Sequence, residues 1–297
     1  MTIEQFLEQL KKLDRAVVMR KIETIHRKQA EELRLSLERQ ERRLVGGAIE
    51  RYQQLFTGPR DVRDIPVIIN SRNRLASLVA LIDVLERTGV RNIFILDNDS
   101  EYPPLLQYFE RTRHRVLRHG ANRGPWAFWY SPFWRMFRND YYVYTDPDVV
   151  PCEDCPLDFM HVFYDTLRKH RHIDKVGFGL RIDDLPEYVD RAAVISWEKV
   201  FWEKQVDGLL YNATIDTTFA LYRPRARGGS RCKAYRTGTP YLARHMPWYA
   251  NPQQPTEEDE FYARTAKRNL SHYLTSTDPS TPAWGHGDII NTNTGSW

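Results

Sequence analysis

Two carboxylates one proline apart, Asp146 and Asp148, end the apolar run YYVYTDPDVVP. Held that close they repel each other, and out of water each is costly unless paired. A positive partner is therefore required. A divalent cation, which takes carboxylates, water and substrate phosphates, meets the need. Mn2+ or Mg2+ at Asp146 and Asp148 would neutralise a diphosphate and support its departure as a leaving group. Cys152 and Cys155 follow as a C-x-x-C, but a structural zinc site needs two more ligands, and only Cys232 or a distant histidine offers one. Further on, RTGTPYLARHMPWYAN gathers Arg236, Arg244, His245, Trp248 and Tyr249 in a proline-interrupted stretch expected to be irregular. In QPTEEDEFYARTA, Thr256 with Asp259 reads as a capping box. The acids Glu257, Glu258, Asp259 and Glu260 suit the positive end of a helix.

The elements that must position these groups alternate. IPVIINSRN is a β-branched apolar run, LASLVALIDVLERTG a helix stopped by Gly89, RNIFILDNDS a second strand, and YPPLLQYFERT a helix opened by prolines. HRVLRHG, PFWRMF and DYYVYTD continue as strand, short helix and strand. This rhythm predicts an α/β fold with a mostly parallel sheet flanked by helices, whose ligands bind outside the carboxyl ends of the strands. The strand ends are polar: Asn70, Arg72 and Asn73; Asp97, Asn98 and Asp99; Asn122 and Arg123; Asp146 and Asp148. They are expected to converge on one rim. Downstream, KVGFGLRIDDLP and ATIDTTFALYRP read as strands that bring Asp183, Asp184 and Asp216. SWEKVFWEKQ reads as a helix whose Trp197 and Trp202 suit a sugar platform or a core.

Residues 2 to about 57 differ in texture. Phe6, Leu7, Leu10, Leu13, Val17 and Val18 recur at helical steps among many charges, with no glycine before Gly46. Three roles stay open for this arm: packing on the main domain, pairing two copies as a coiled coil, or lying on a membrane surface. Acids interleaved with bases favour the first two, including a homodimer through these helices. The expected division is a helical extension over 1–60, a main domain over 61–275 and a tail over 276–297. No stretch reaches the ~20 apolar residues that span a bilayer. The acidic start and three cysteines are expected of a cytoplasmic chain, with contact to a membrane only peripheral. A net charge of +4 is too small to imply nucleic acid, and none is expected as a partner.

PVIINSRNRLASLVALIDVL, NIFILDNDS, HGANRGPWAFW and VYTDPDVVP together resemble the successive motifs of GT-A glycosyltransferases, and the chain is similar to bacterial members of family 2. The resemblance covers roughly residues 65 to 270. It implies a Rossmann-like GT-A domain that transfers a sugar from a nucleoside-diphosphate sugar, here a UDP-sugar, to a glycan hydroxyl in surface or capsular polysaccharide synthesis. By position it makes Asn70, Arg72 and Asp97 nucleotide contacts, and Asp146 and Asp148 the metal site, with His245 completing it and Arg244 as the alternate on the diphosphate. Asn122 lies in a glycine-flanked loop where backbone approaches a ligand or merely turns. An inverting member takes its catalytic base from an acidic pair opening a late helix, matched best by Glu258 and Asp259. A retaining member would bring Asp184 or Asp216 to the sugar instead. Two other classes stand beside this one. Asp-x-Asp-x-Val also fits haloacid-dehalogenase-type phosphatases, although these carry it on their first strand. A non-catalytic sugar-nucleotide scaffold would be expected to have lost its charged rim.

Overall fold

The computed structural model of the chain describes residues 61–228 and 232–266. The chain divides into two units, Met1–Phe56 and Thr57–Trp297. The first unit, with the expected helical arm and its dimer contact, lies outside the described residues, as does the expected tail. The rest is an α/β domain on one nine-stranded sheet of order β3-β2-β1-β4-β8-β6-β9-β5, with β7 paired to β9.

The first four strands are β1 (Val67–Ser71), β2 (Ile93–Asp97), β3 (Arg115–Arg118) and β4 (Tyr142–Thr145). They pair in parallel, as their alternation with helices requires. Two helices, α1 (Ala76–Arg87) and α2 (Pro103–Arg111), link β1 to β2 and β2 to β3. Both lie on one face, where Leu78, Leu81, Leu85, Leu105 and Phe109 pack on Val67, Ile69, Ile93 and Ile95. The alternate strand residues Ile68, Phe94 and Leu96 point the other way, as period-2 geometry demands. The return from β3 to β4 covers that second face with Ala127, Phe128, Trp129 and a single-turn helix, α3 (Trp134–Phe137). Strand order therefore reverses between β1 and β4, and the crevice at such a reversal is where α/β sheets bind ligands.

Beyond β4 the sheet is mixed. Its other strands are β5 (Val149–Pro151), β6 (Lys175–Leu180), β7 (Leu210–Asn212), β8 (Ala220–Tyr222) and β9 (Ala234–His245). β6 and β9 run parallel, whereas β8, β5 and β7 pair antiparallel with their neighbours. A mostly parallel sheet is thus corrected to a mixed one, because β5, β7 and β8 are too short and too closely connected for helical crossovers. Helix α4 (Phe159–Lys169) packs Phe159 and Phe163 against Phe178 and Phe219. Helix α5 (Arg191–Glu198) precedes β7, and α6 (Glu257–Thr265) is the last described element.

The stretch expected to be irregular is mostly β9. Its pairing with β6 jumps from Phe178↔Thr237 to Gly179↔Leu242, so residues 238–241 leave the ladder around Pro240, which has no N–H to give it. The two halves hold Arg236 and His245 apart, which corrects their expected grouping. Arg236 instead meets Glu198 at 3.0 Å in a buried ion pair.

Candidate functional site

The rim at the β1–β4 reversal is built from three short segments. Asn70 lies next to the end of β1 and Asp146 follows β4, in register through the Ile69↔Thr145 pair. Asp146 is fixed on both sides: its N–H donates to Thr217 O at 3.0 Å and its Oδ2 accepts from Thr217 Oγ1 at 2.5 Å. The Asn70 side chain lies beside it, its Nδ2 donating to Gly124 O at 3.4 Å. Burial first, and then the neighbouring Asp148, push the Asp146 carboxyl well above the usual carboxylate range, against the hydrogen bond from Thr217. This is the electrostatic cost anticipated for two adjacent acids without a cation.

Asp148 is 9% exposed, and its buried Oδ1 has no hydrogen-bond partner. The group facing it is His245, whose Nε2 stands 4.0 Å from that oxygen. Strand pairing places the two together. β5 and β9 run antiparallel with Val149 opposite His245, and Met246 N–H donates to Asp148 O at 2.8 Å. Burial lowers the imidazole pKa, so His245 stands neutral, the form that binds metal. A gap of 4.0 Å is too wide for a hydrogen bond; adjacent ligands each ~2.1 Å from one octahedral ion lie ~3.0 Å apart, so a shared ion would draw these two atoms together. Asp148 and His245 therefore fit a divalent cation, with Asp146 beside them. Among the described residues no group of three or more His, Cys, Asp or Glu is placed to hold a metal ion.

Other residues expected at the rim are there but engaged. Asp97 Oδ1 accepts from Ser100 N–H at 2.9 Å and its Oδ2 from Arg118 at 3.2 Å, so it both caps a turn and holds a cation. Asn122 makes a plain turn, its Oδ1 accepting from Gly124 N–H. Arg72 donates to Thr265 O at 3.0 Å, where a cation meets the negative end of α6. Arg244 leaves the diphosphate position altogether: it bridges Asp184, at 2.6 Å, and Glu153. The register explains why, since successive strand residues face opposite sides and His245 takes the inward one.

Both acids expected to supply a base act as clamps. Glu258 is 9% exposed, and its Oε2 accepts from Leu75 N–H at 2.7 Å and Ala76 N–H at 3.1 Å. Helix α1 has no side-chain cap of its own, so Glu258 supplies one from a distant element. Asp259 closes the capping box with Thr256 and also binds Arg74 at 2.6 Å. Burial raises its pKa, but the bonds from Thr256 and Arg74 outweigh this and leave it lowered, making it a weaker base. The Arg74 guanidinium lies 4.0 Å from the centre of the Tyr262 ring on the same helix.

Several contributors are not singled out by motif. Thr217 orients Asp146, and Asn98 fixes the Gly124 loop by donating to Gly124 O at 2.9 Å and accepting from Arg123 N–H at 2.8 Å. Lys175, fully buried, donates to Ile215 O at 2.5 Å and so pins the turn that carries Asp216 and Thr217. Trp202 lies against Gly179, where a Cβ would come within 2.6 Å of its ring, so it is packed rather than offered as a platform. Cys152 and Cys155 are buried, and burial raises their thiols to about 11 and about 12, away from thiolate chemistry. The fold and rim thus define an α/β domain with an acid pair, Asp148 buried and Asp146 partly so, and a neutral histidine at its strand-order reversal. No protein-family model and no curated protein matches the chain. No helix among the described residues is long and apolar enough to cross a membrane.

Proposed function

We propose that the chain is a metal-dependent GT-A glycosyltransferase, resembling family 2, that moves a sugar from a nucleoside-diphosphate donor, a UDP-sugar, to a glycan hydroxyl. The observation that carries this reading is the buried Asp148 Oδ1, without a hydrogen bond, facing a neutral His245 at the β1–β4 reversal. Mn2+ or Mg2+ held by Asp148 and His245 would supply charge for the leaving diphosphate. Thr217 holds Asp146 in place beside them, and Asn70 Oδ1, buried and without a partner, is left to meet donor or metal-bound water.

The acceptor proton is a separate matter. Glu258 and Asp259 are committed to holding α6, so an inverting transfer draws on Asp216 in this reading. Its negative charge reaches both Asp146 and His245, and the one described hydrogen bond to its carboxylate is from Thr218 N–H at 3.1 Å. A cytoplasmic role in surface or capsular polysaccharide synthesis completes the proposal. Its test is a screen of nucleotide sugars for hydrolysis and thermal stabilisation with and without Mn2+, since a bound donor adds RT ln(1 + [L]/Kd) to stability. Metal-dependent stabilisation by UDP-sugars is expected, and stabilisation indifferent to metal would overturn it. A phosphatase reading predicts instead phosphate release from simple phosphomonoesters.

A further inference from the structure

The two faces of the sheet differ in what they show outward. The second face is covered largely by residues 124–137 and 223–228, which interlock: Trp126 and Trp129 pack on each other and on Gly228, Tyr142 Oη donates to Ala226 O at 2.6 Å, and Arg225 N–H donates to Arg138 O at 2.6 Å. The outer side of this thin layer carries Tyr130, 75% exposed, and Met136, 49% exposed, the two largest such exposures among its apolar side chains. Around them Arg135, Arg138, Arg225 and Arg227 are exposed.

Charge on this layer is of one sign. Between 124 and 139 the sequence has Arg135 and Arg138, between 223 and 228 it has Arg223, Arg225 and Arg227, and neither stretch has an Asp or Glu. The nearest acid along the chain is Asp140, at the end of the first stretch. This layer is therefore net positive, in a chain whose overall charge is +4. Arginines alone would suit any polyanion. The combination with a projecting tyrosine and methionine on an otherwise closed aromatic layer suits a surface that is anionic outside and apolar just beneath, which is a membrane interface.

We propose that this face, through Arg135, Arg138, Arg225, Tyr130 and Met136, docks the protein on an anionic lipid surface. The inference does not depend on the glycosyl-transfer reading, since none of these residues belongs to the Asp146–Asp148–His245 site.

The test uses the full chain and sedimentation with vesicles of phosphatidylglycerol mixed with phosphatidylcholine, against phosphatidylcholine alone. Binding is expected only to the anionic vesicles and should weaken with added salt. Arg135→Gln, Arg138→Gln and Arg225→Gln combined should lower vesicle affinity by ~10²-fold, from about fivefold per arginine. Tyr130→Ser with Met136→Ser should lower it independently, with less effect on its salt dependence. Equal binding to neutral vesicles, no binding at all, or binding untouched by both variants would each overturn the proposal; the last would place the contact elsewhere in the chain. A labelled single-stranded RNA that binds through the same arginines while vesicles do not would assign the face to nucleic acid instead.

Discussion

Glu258→Gln separates a structural carboxylate from a catalytic one. Glu258 Oε2 receives two backbone N–H groups at the start of α1, at 2.7 and 3.1 Å, and is nearly buried. The amide keeps an acceptor there but loses the anion, which at a partly buried helix N-terminus contributes up to about 2 kcal/mol. Replacement by alanine leaves both donors unsatisfied, at about 1–3 kcal/mol each. For a domain of this size about 1 kcal/mol moves Tm by roughly 2–4 °C, so the amide should lower it by roughly 2–8 °C and alanine by more. Turnover of the surviving folded fraction should stay within ~10-fold of the wild type, since a general base is worth ~10²–10⁴-fold. Differential scanning fluorimetry and a transfer assay below both melting points read the two quantities. A Glu258→Gln protein that melts with the wild type yet loses more than ~10²-fold in transfer would refute the clamp and restore Glu258 as the base.

Three further outcomes are expected. Asp148→Ala should keep the fold but weaken metal-dependent UDP binding by at least ~10²-fold in calorimetry, beyond the loss from disturbing a residue that merely supports a ligand; unchanged metal affinity would remove Asp148 from the site. Lys175, lowered from 10.5 to about 8 by burial, binds a proton less readily when folded, so its contribution should make stability rise between about pH 8 and 10.5, by roughly 3 kcal/mol at most; denaturant titrations of wild type and Lys175→Met across that window should show the rise only in the former, and parallel curves would contradict it. Arg244→Gln should leave UDP affinity within about twofold, because Glu153 and Asp184 already hold the guanidinium; a larger fall by calorimetry would return Arg244 to the diphosphate.

The first half of the domain was legible because its signals are local. β-branched runs and the prolines of α2 sit inside the element they define, Gly89 lies just beyond the end of α1, and the polar strand ends do gather at the β1–β4 reversal. Later elements were less legible, since β5, β7 and β8 are three residues each and too short for periodicity to speak. Pro240 hid β9, although a proline outside the ladder does not forbid a strand on either side of it. Once β9 is known to be extended, alternation alone separates Arg244 from His245. The engagement of Glu258 could not be seen at all. Its partners are 182 and 183 residues away, and backbone donors leave no mark in a sequence. Thr256 with Asp259 was visible because a capping box is local, and it is present.

The dependence of α1 on Glu258 bears on the order in which the domain can be completed. Helix α1 belongs to the first β–α unit to leave the ribosome, yet its opening N–H groups find their acceptor only on the last described helix. Arg72, Asn73 and Arg74 wait for the same partner, at Thr265 O, Thr265 Oγ1 and Asp259 Oδ1. Contacts of such sequence separation form late, because the intervening chain must first be ordered. A nascent chain stopped before Pro255 would expose the rim end of α1 with no anion over it. The same three-residue run after β1 that frames the crevice finds its partners only once α6 has been made.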